Sequence, residues 1–175
     1  ANYKVISNCQ IILNSADVDD GAKGFAQTVK AYCLMRILNL TDVNGARINY
    51  DGDINAPVAT KDEVLAEIKR LLDAGHANLS SAGSSFSFSL SSGFDGFNTP
   101  ATFAHFNRGI MARAAVRQDD WTTAQSALTA CAEWMNSADN DMGVYHAFSS
   151  GANDGDNQMY EAPDAATLKL MVHPT

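Results

Sequence analysis

Residues 99–135, TPATFAHFNRGIMARAAVRQDDWTTAQSALTACAEWM, contain two amphipathic patterns joined by a turn too short for anything but a reversal. Thr99 followed by Pro100 is a helix start: a hydroxyl N-cap, then a residue whose missing N–H costs nothing in the first turn. Phe103, Phe106, Ile110 and Ala114 follow at helical spacing, with the aliphatic stem of Arg117 at the end of the stripe. Asp119 or Asp120 then caps a second helix, whose stripe is Trp121, Ala124, Leu128, Cys131 and Met135. A link this short makes 100–118 and 120–136 antiparallel neighbours. The expected architecture is all-α, built from tetratricopeptide-like helix pairs with long polar loops.

The same periodicity runs back toward the N-terminus. Residues 2–13 carry Tyr3, Ile6, Cys9 and Leu13 on one face. A polar, Gly-containing break leads into a longer helix over about 20–40, with Phe25, Val29, Cys33, Leu34, Ile37 and Leu40 as its stripe; Gly21 and Gly24 weaken its first turns. Thr60 and Glu63 form a T-x-x-E capping box ahead of Val64, Leu65, Ile68, Leu71 and Leu72, and Gly75 is the expected C-terminal stop. Residues 80–98 are Ser/Gly-rich. Phe86, Phe88 and Leu90 alternate there with Ser, as in a short strand or an extended loop outside the helical core. The chain reads as a single helical domain over 1–175, with a long polar loop at 137–163 and a last short helix or strand at 164–172.

Between the second and third helices, NYDGDINAPVATKDEV at 49–64 sets Asp51, Asp53 and Asn55 at alternate positions, as a calcium loop does. An EF-hand needs Gly at the sixth position and a bidentate Glu at the twelfth. Here Ala56, followed by Pro57, takes the first place and the shorter Asp62 takes the second; Glu63 already serves the capping box. The loop is therefore an acidic connector. A second acidic stretch, with Asp154, Asp156, Asn157 and Glu161, also lacks the spacing and reads as a solvated turn.

Composition narrows the function. The 175 residues carry a net charge of −8, against nucleic acid and anionic membranes as partners. No apolar run approaches the ~18 residues of a transmembrane helix. The N-terminus shows no signal peptide, so the chain is either cytosolic or lacks its export segment. Cys9, Cys33 and Cys131 sit in apolar helical patterns and read as small buried hydrophobes; in an exported protein a single disulfide stays open. His76, His105, His146 and His173 have no metalloenzyme spacing, and His105 lies beside core phenylalanines. No nucleophile elbow, P-loop or dinucleotide motif occurs, so neither enzyme activity nor a cofactor or metal is expected. A binder of sugar or peptide needs aromatic platforms beside hydrogen-bonding side chains. Trp121 lies on the core stripe and Trp134 flanks it. Phe94, Asp95, Phe97 and Asn98 in one loop, with Tyr145 and Tyr160 in another, are the candidate ligand-binding residues.

Four segments in order resemble a known family. YKVISNCQIIL (3–13), AKGFAQTVKAYCLMRILNLTDV (22–43), ATKDEVLAEIKRLLDAGHANL (59–79) and FAHFNRGIMARAAVRQDDWTTAQSAL (103–128) are similar to successive helices of the SusD/RagB outer-membrane nutrient-binding lipoproteins. The family's Gly-Asp-Val turn is Thr41-Asp42-Val43 here, and the chain reads as an interior piece or a shortened relative. The resemblance implies tetratricopeptide-like helix pairs, no catalysis, and a place at the cell surface. It implies an oligosaccharide or peptide ligand, passed to a TonB-dependent, SusC-like outer-membrane transporter. The alternative is a helical-repeat structural or adaptor module that binds another protein or membrane complex. None of the family's ligand residues carries over position by position.

Overall fold

The computed structural model of the protein describes residues 1–49, 53, 55–135 and 141–156, with Trp134 and Met135 as backbone only. The described elements are helices: α1 (Asn2–Asn14), α2 (Asp20–Thr41), α3 (Lys61–Ser81), α4 (Pro100–Val116), α5 (Trp121–Ala130) and the short α6 (Ala132–Met135), with 3₁₀ turns at Asp42–Asn44 and Ser92–Phe94. No strand occurs among the described residues, so the fold is all-α.

Capping sets most of the boundaries. The Asp19 carboxylate accepts from the Ala22 N–H at 2.8 Å and opens α2. Thr60 and Glu63 close the expected capping box, the Glu63 carboxylate accepting from the Thr60 N–H at 2.8 Å. Thr99 caps α4 with Pro100 at its first position, and the Asp120 carboxylate accepts from the Thr123 N–H at 3.0 Å to open α5. The connector before α3 is pinned at its stem, where Ala46 and Ala59 exchange two backbone hydrogen bonds of 3.1 and 2.9 Å.

Each helix packs mainly on its chain neighbours. Gln10 of α1 meets Lys30 of α2; Gln27 of α2 meets Asn78 of α3; Asp73 of α3 meets Arg108 of α4. At the opposite ends Lys61 of α3 reaches Asp42, just past α2. These pairings fix an antiparallel order, with α4 parallel to α2 and packed on it through Phe25 with Phe103 and Tyr32 with Phe106. α2 is the hub. It is covered from three sides, so Ala26, Ala31, Cys33, Leu34, Met35, Ile37 and Leu38 are all buried, more than a single stripe can supply.

The centre of the three-helix contact is polar. Gly24 and Gly75 face each other where α2 crosses α3: a Cβ on Gly24 would lie 2.7 Å from Leu79 Cγ and 2.9 Å from the Gly75 carbonyl oxygen. Asn107 of α4, fully buried, fills the space beside them. Its amide donates to Thr28 Oγ1 at 2.8 Å and to the Leu72 carbonyl at 3.1 Å, and its oxygen accepts from Arg108 Nε at 2.8 Å. The Thr28 hydroxyl donates in turn to the Gly24 carbonyl at 2.8 Å. Every buried polar atom of this cluster is satisfied, as burial requires.

Several expectations are corrected. Gly75 does not end α3, which runs six residues further to Ser81; the glycine serves close helix approach instead. Leu40 is 85% exposed, because Leu38, two residues earlier and so on the opposite side of α2, takes the buried place at that end. Trp121 is 63% exposed and Leu128 lies on the surface, because α5 seats its small residues Ala124 and Ala127, then Cys131, against α4. Arg117 is exposed past the end of α4, and helical geometry breaks at Cys131, which separates α5 from α6. Residues 86–90 form no strand but an irregular loop beside the helical core, as the second of the two expected alternatives has it. Half-buried Phe86 and Phe88 pack edge-on to Phe25 at centroid distances of 5.9 and 5.3 Å, an aromatic cluster at the edge of the helical core. The three cysteines are free and buried. The expected element at 164–172 lies outside the described residues, as do parts of the 137–163 loop; residues 141–156 carry only turns, bends and one isolated bridge.

Candidate functional site

The loop residues singled out by sequence divide on burial. Phe97 is 3% exposed, a packing residue and not a platform open to ligand. Phe94 is half-buried, its ring 5.9 Å from Phe25 and 6.1 Å from Phe103. Asp95 and Asn98 are exposed beside them. The fold brings Tyr145 to this loop: its N–H donates to the Gly93 carbonyl at 2.8 Å, its phenol donates to the Asp141 carbonyl, and its side chain stays exposed. The Asp154 carboxylate joins the two loops by accepting from the Ser92 N–H and hydroxyl at 2.9 and 2.7 Å, and the bond from the Ser149 hydroxyl, then those from Ser92, hold it below the usual carboxylate range. Tyr160 lies outside the described residues, as do Asn157, Glu161 and His173.

In the connector, the Asp53 carboxylate is turned onto its own loop and accepts from the Asn55 N–H at 2.8 Å. Asp51 lies outside the described residues. Among the described residues no group of three His, Cys, Asp or Glu side chains is placed to hold a metal ion. His76 and His105 line a surface hollow of about 320 Å³ with Leu79 and Ala101; burial and the nearby Arg108 cation lower the His76 pKa.

A different feature has the character of a binding site. Between α1, α2, α3 and the start of the connector lies a cleft of about 570 Å³. Its floor is Lys30, 2% exposed, whose Nζ donates to Gln10 Oε1 at 2.8 Å and Asn49 Oδ1 at 3.0 Å. Gln10 passes the polarity on, its amide donating to Asn14 at 2.8 Å. Arg70 and Glu67 form one wall as a two-bond pair of 2.6 and 2.8 Å, and Lys23 and Gln27 stand on the other. Burial lowers the Lys30 pKa, and the nearby Glu67 carboxylate raises it in part.

The cleft draws on four segments with no shared motif, which is why sequence reading missed it. One signal was present: Lys30 occupies the helical phase of Ala26, Cys33 and Ile37, all of them buried. A cation in a core phase must either reach solvent or find polar partners.

On the opposite side of α2, Tyr32, Met35, Phe106, Ile110, Val116 and Leu128 line an apolar groove of about 410 Å³. No described helix is long and apolar enough to cross a membrane. No protein-family model matches the chain, and comparison with curated proteins and with solved structures finds no match.

Proposed function

We propose that this chain is a non-catalytic nutrient-binding module, taking oligosaccharide or peptide at the cell surface as a lipoprotein and assisting a TonB-dependent, SusC-like outer-membrane transporter. The observation that carries the reading is the α1–α2–α3 cleft. It offers planar amide and charged side chains around a buried cation, the kind of lining that fixes a polar ligand by hydrogen bonds. The four family-like segments support it, since each coincides with α1, α2, α3 or the α4–α5 pair. Successive antiparallel helices are also what tetratricopeptide-like pairs require. The exposed Asp95, Asn98 and Tyr145 supply a second polar surface on the loop side.

The test is a glycan and peptide array probed with the chain, followed by the same array with Lys30→Met/Arg70→Gln. The expected result is a restricted set of ligands, lost in the double variant, with no hydrolysis of any of them. Turnover of substrate, or binding that ignores the double variant, overturns the reading.

A second reading, a helical adaptor that docks on another protein, draws on the apolar groove beside α2, α4 and α5. Leu128→Asp separates the two: it abolishes docking in an adaptor and leaves ligand capture in the cleft intact.

A further inference from the structure

We infer that the α1–α2–α3 cleft selects a sugar that bears a carboxylate, of the uronic-acid type, with the acid group placed against Lys30. The inference rests on the binding reading above and narrows its ligand class.

The protein is net −8, yet among the described residues the lining of this cleft carries Lys23, Lys30 and Arg70 with one carboxylate, Glu67; Lys23 also stands 3.9 Å from Asp20, outside the lining. Glu67 is already engaged by both bonds from Arg70. Among the described residues Lys30 Nζ meets only the amide oxygens of Gln10 and Asn49, and no carboxylate oxygen lies within ion-pair distance of it. An ammonium held out of water with neutral partners is stabilised strongly by a correctly placed anion. Among the described residues Lys30 uses two of its three donors, which leaves one N–H for the ligand.

The rest of the lining favours a sugar over a peptide as bearer of the acid. Gln10, Asn14, Gln27 and Asn49 present amide groups suited to ring hydroxyls. Strand addition, the peptide mode that works through main-chain hydrogen bonds, needs a sheet edge, and no strand occurs among the described residues. A negative ligand would also raise the Lys30 pKa again and hold it charged at higher pH.

The test is calorimetric titration of the full chain with trigalacturonate, neutral galactotriose, a triaspartate peptide and inorganic phosphate, at low and at physiological salt. Trigalacturonate is expected to bind at least about tenfold tighter than galactotriose, and to weaken as salt rises. Lys30→Met should erase that preference while leaving the helical circular-dichroism signal unchanged. If Lys30→Met fails to fold, Lys23→Gln/Arg70→Gln replaces it, since Lys23 is half-exposed and Arg70 is exposed, and it should cut trigalacturonate affinity several-fold. Equal affinity for the charged and neutral sugars overturns the inference and leaves the binding reading standing. Tighter binding of triaspartate or of phosphate overturns the choice of an acidic sugar. No heat from any probe overturns the inference, and the array then decides the wider reading by itself.

Discussion

Replacing Asn107 by Ala removes the side chain on which α2, α3 and α4 converge, and the cost can be worked bond by bond. Thr28 Oγ1 loses its donor but still gives its own proton to the Gly24 carbonyl, so this loss is about 1 kcal/mol. The Leu72 carbonyl keeps a 2.6 Å bond from Arg108 Nη2 and loses about 0.5 kcal/mol. Arg108 Nε is left without its acceptor in a side chain only 11% exposed, at about 1.5 kcal/mol. The space vacated by the amide adds about 1 kcal/mol. The total is about 4 kcal/mol, which at a urea slope near 2 kcal/mol/M lowers the midpoint by about 2 M. Urea unfolding followed by circular dichroism reads this directly. A double-mutant cycle with Thr28→Ala should show coupling of about 1 kcal/mol. A loss below about 1 kcal/mol for Asn107→Ala, with no coupling to Thr28, would refute the account of a polar centre as the clamp between the three helices.

Other outcomes follow from single contacts. The Asp120 carboxyl is held down to about 2, first by the Lys69 ammonium bonded to it at 2.6 Å and then by Thr123. Its folded pKa lies below the usual value of about 3.9, so its contribution is present above that value and fades as pH falls toward 2. Urea midpoints of wild type and Asp120→Asn should differ at pH 5 and converge near pH 2. Burial raises the thiol pKa values of Cys33 and Cys131 and pushes that of Cys9 up to about 11; dithionitrobenzoate at pH 8 should therefore find no prompt thiol in the native chain and three in denaturant. A Cβ at Gly93 would lie 1.9 Å from the Tyr145 carbonyl oxygen, so Gly93→Ala should free the 141–156 segment. Amide exchange at Tyr145 is expected to rise about tenfold or more with the helices unchanged.

The helices were legible because their signals are local. Thr60 with Glu63, Thr99 with Pro100, and Asp120 ahead of Trp121 each announce a start within four residues, and the structure places caps there. What is not local was misread. Periodicity marks which face of a helix is apolar, not how many neighbours cover it. It could not show that α2 is buried from three sides, nor that α5 approaches through alanines and leaves Trp121 in solvent. Gly75 carries the residue type of a C-cap, and only the facing Gly24 reveals that its purpose is contact. Phe97 gave the reverse error: in a Ser/Gly-rich loop it had the setting of a ligand platform, yet it is buried, while Phe86, Phe88 and Phe94 are half-buried around Phe25. The cleft was least legible of all, since Gln10, Lys30, Asn49 and Arg70 are distant in sequence and meet only once the helices are packed.

That packing links the cleft to the glycine crossing. Lys30 lies six residues along α2 from Gly24, and Glu67 and Arg70 lie within eight residues of Gly75 on α3, so the spacing at the crossing sets the distance between the cleft walls. Gly24→Ala tests this. Helix propensity alone favours alanine by about 1 kcal/mol in a helix interior. The new methyl would meet Leu79 Cγ at 2.7 Å and the Gly75 carbonyl oxygen at 2.9 Å, and a carbonyl in a helix cannot swing aside as a side-chain end can. Overpacking of this kind costs about 1–3 kcal/mol, so the substitution should be neutral to destabilising where propensity predicts a gain. Gly83→Ala is the control, because a Cβ there meets nothing within 4 Å and should cost little. The decisive readout is ligand affinity: the new methyl faces Leu79 and Gly75, which do not line the cleft, yet by moving α2 from α3 it should weaken trigalacturonate binding while Gly83→Ala does not. Unchanged affinity in a destabilised Gly24→Ala protein would show that the cleft walls are set independently of the crossing, and would break the link drawn between this core and its site.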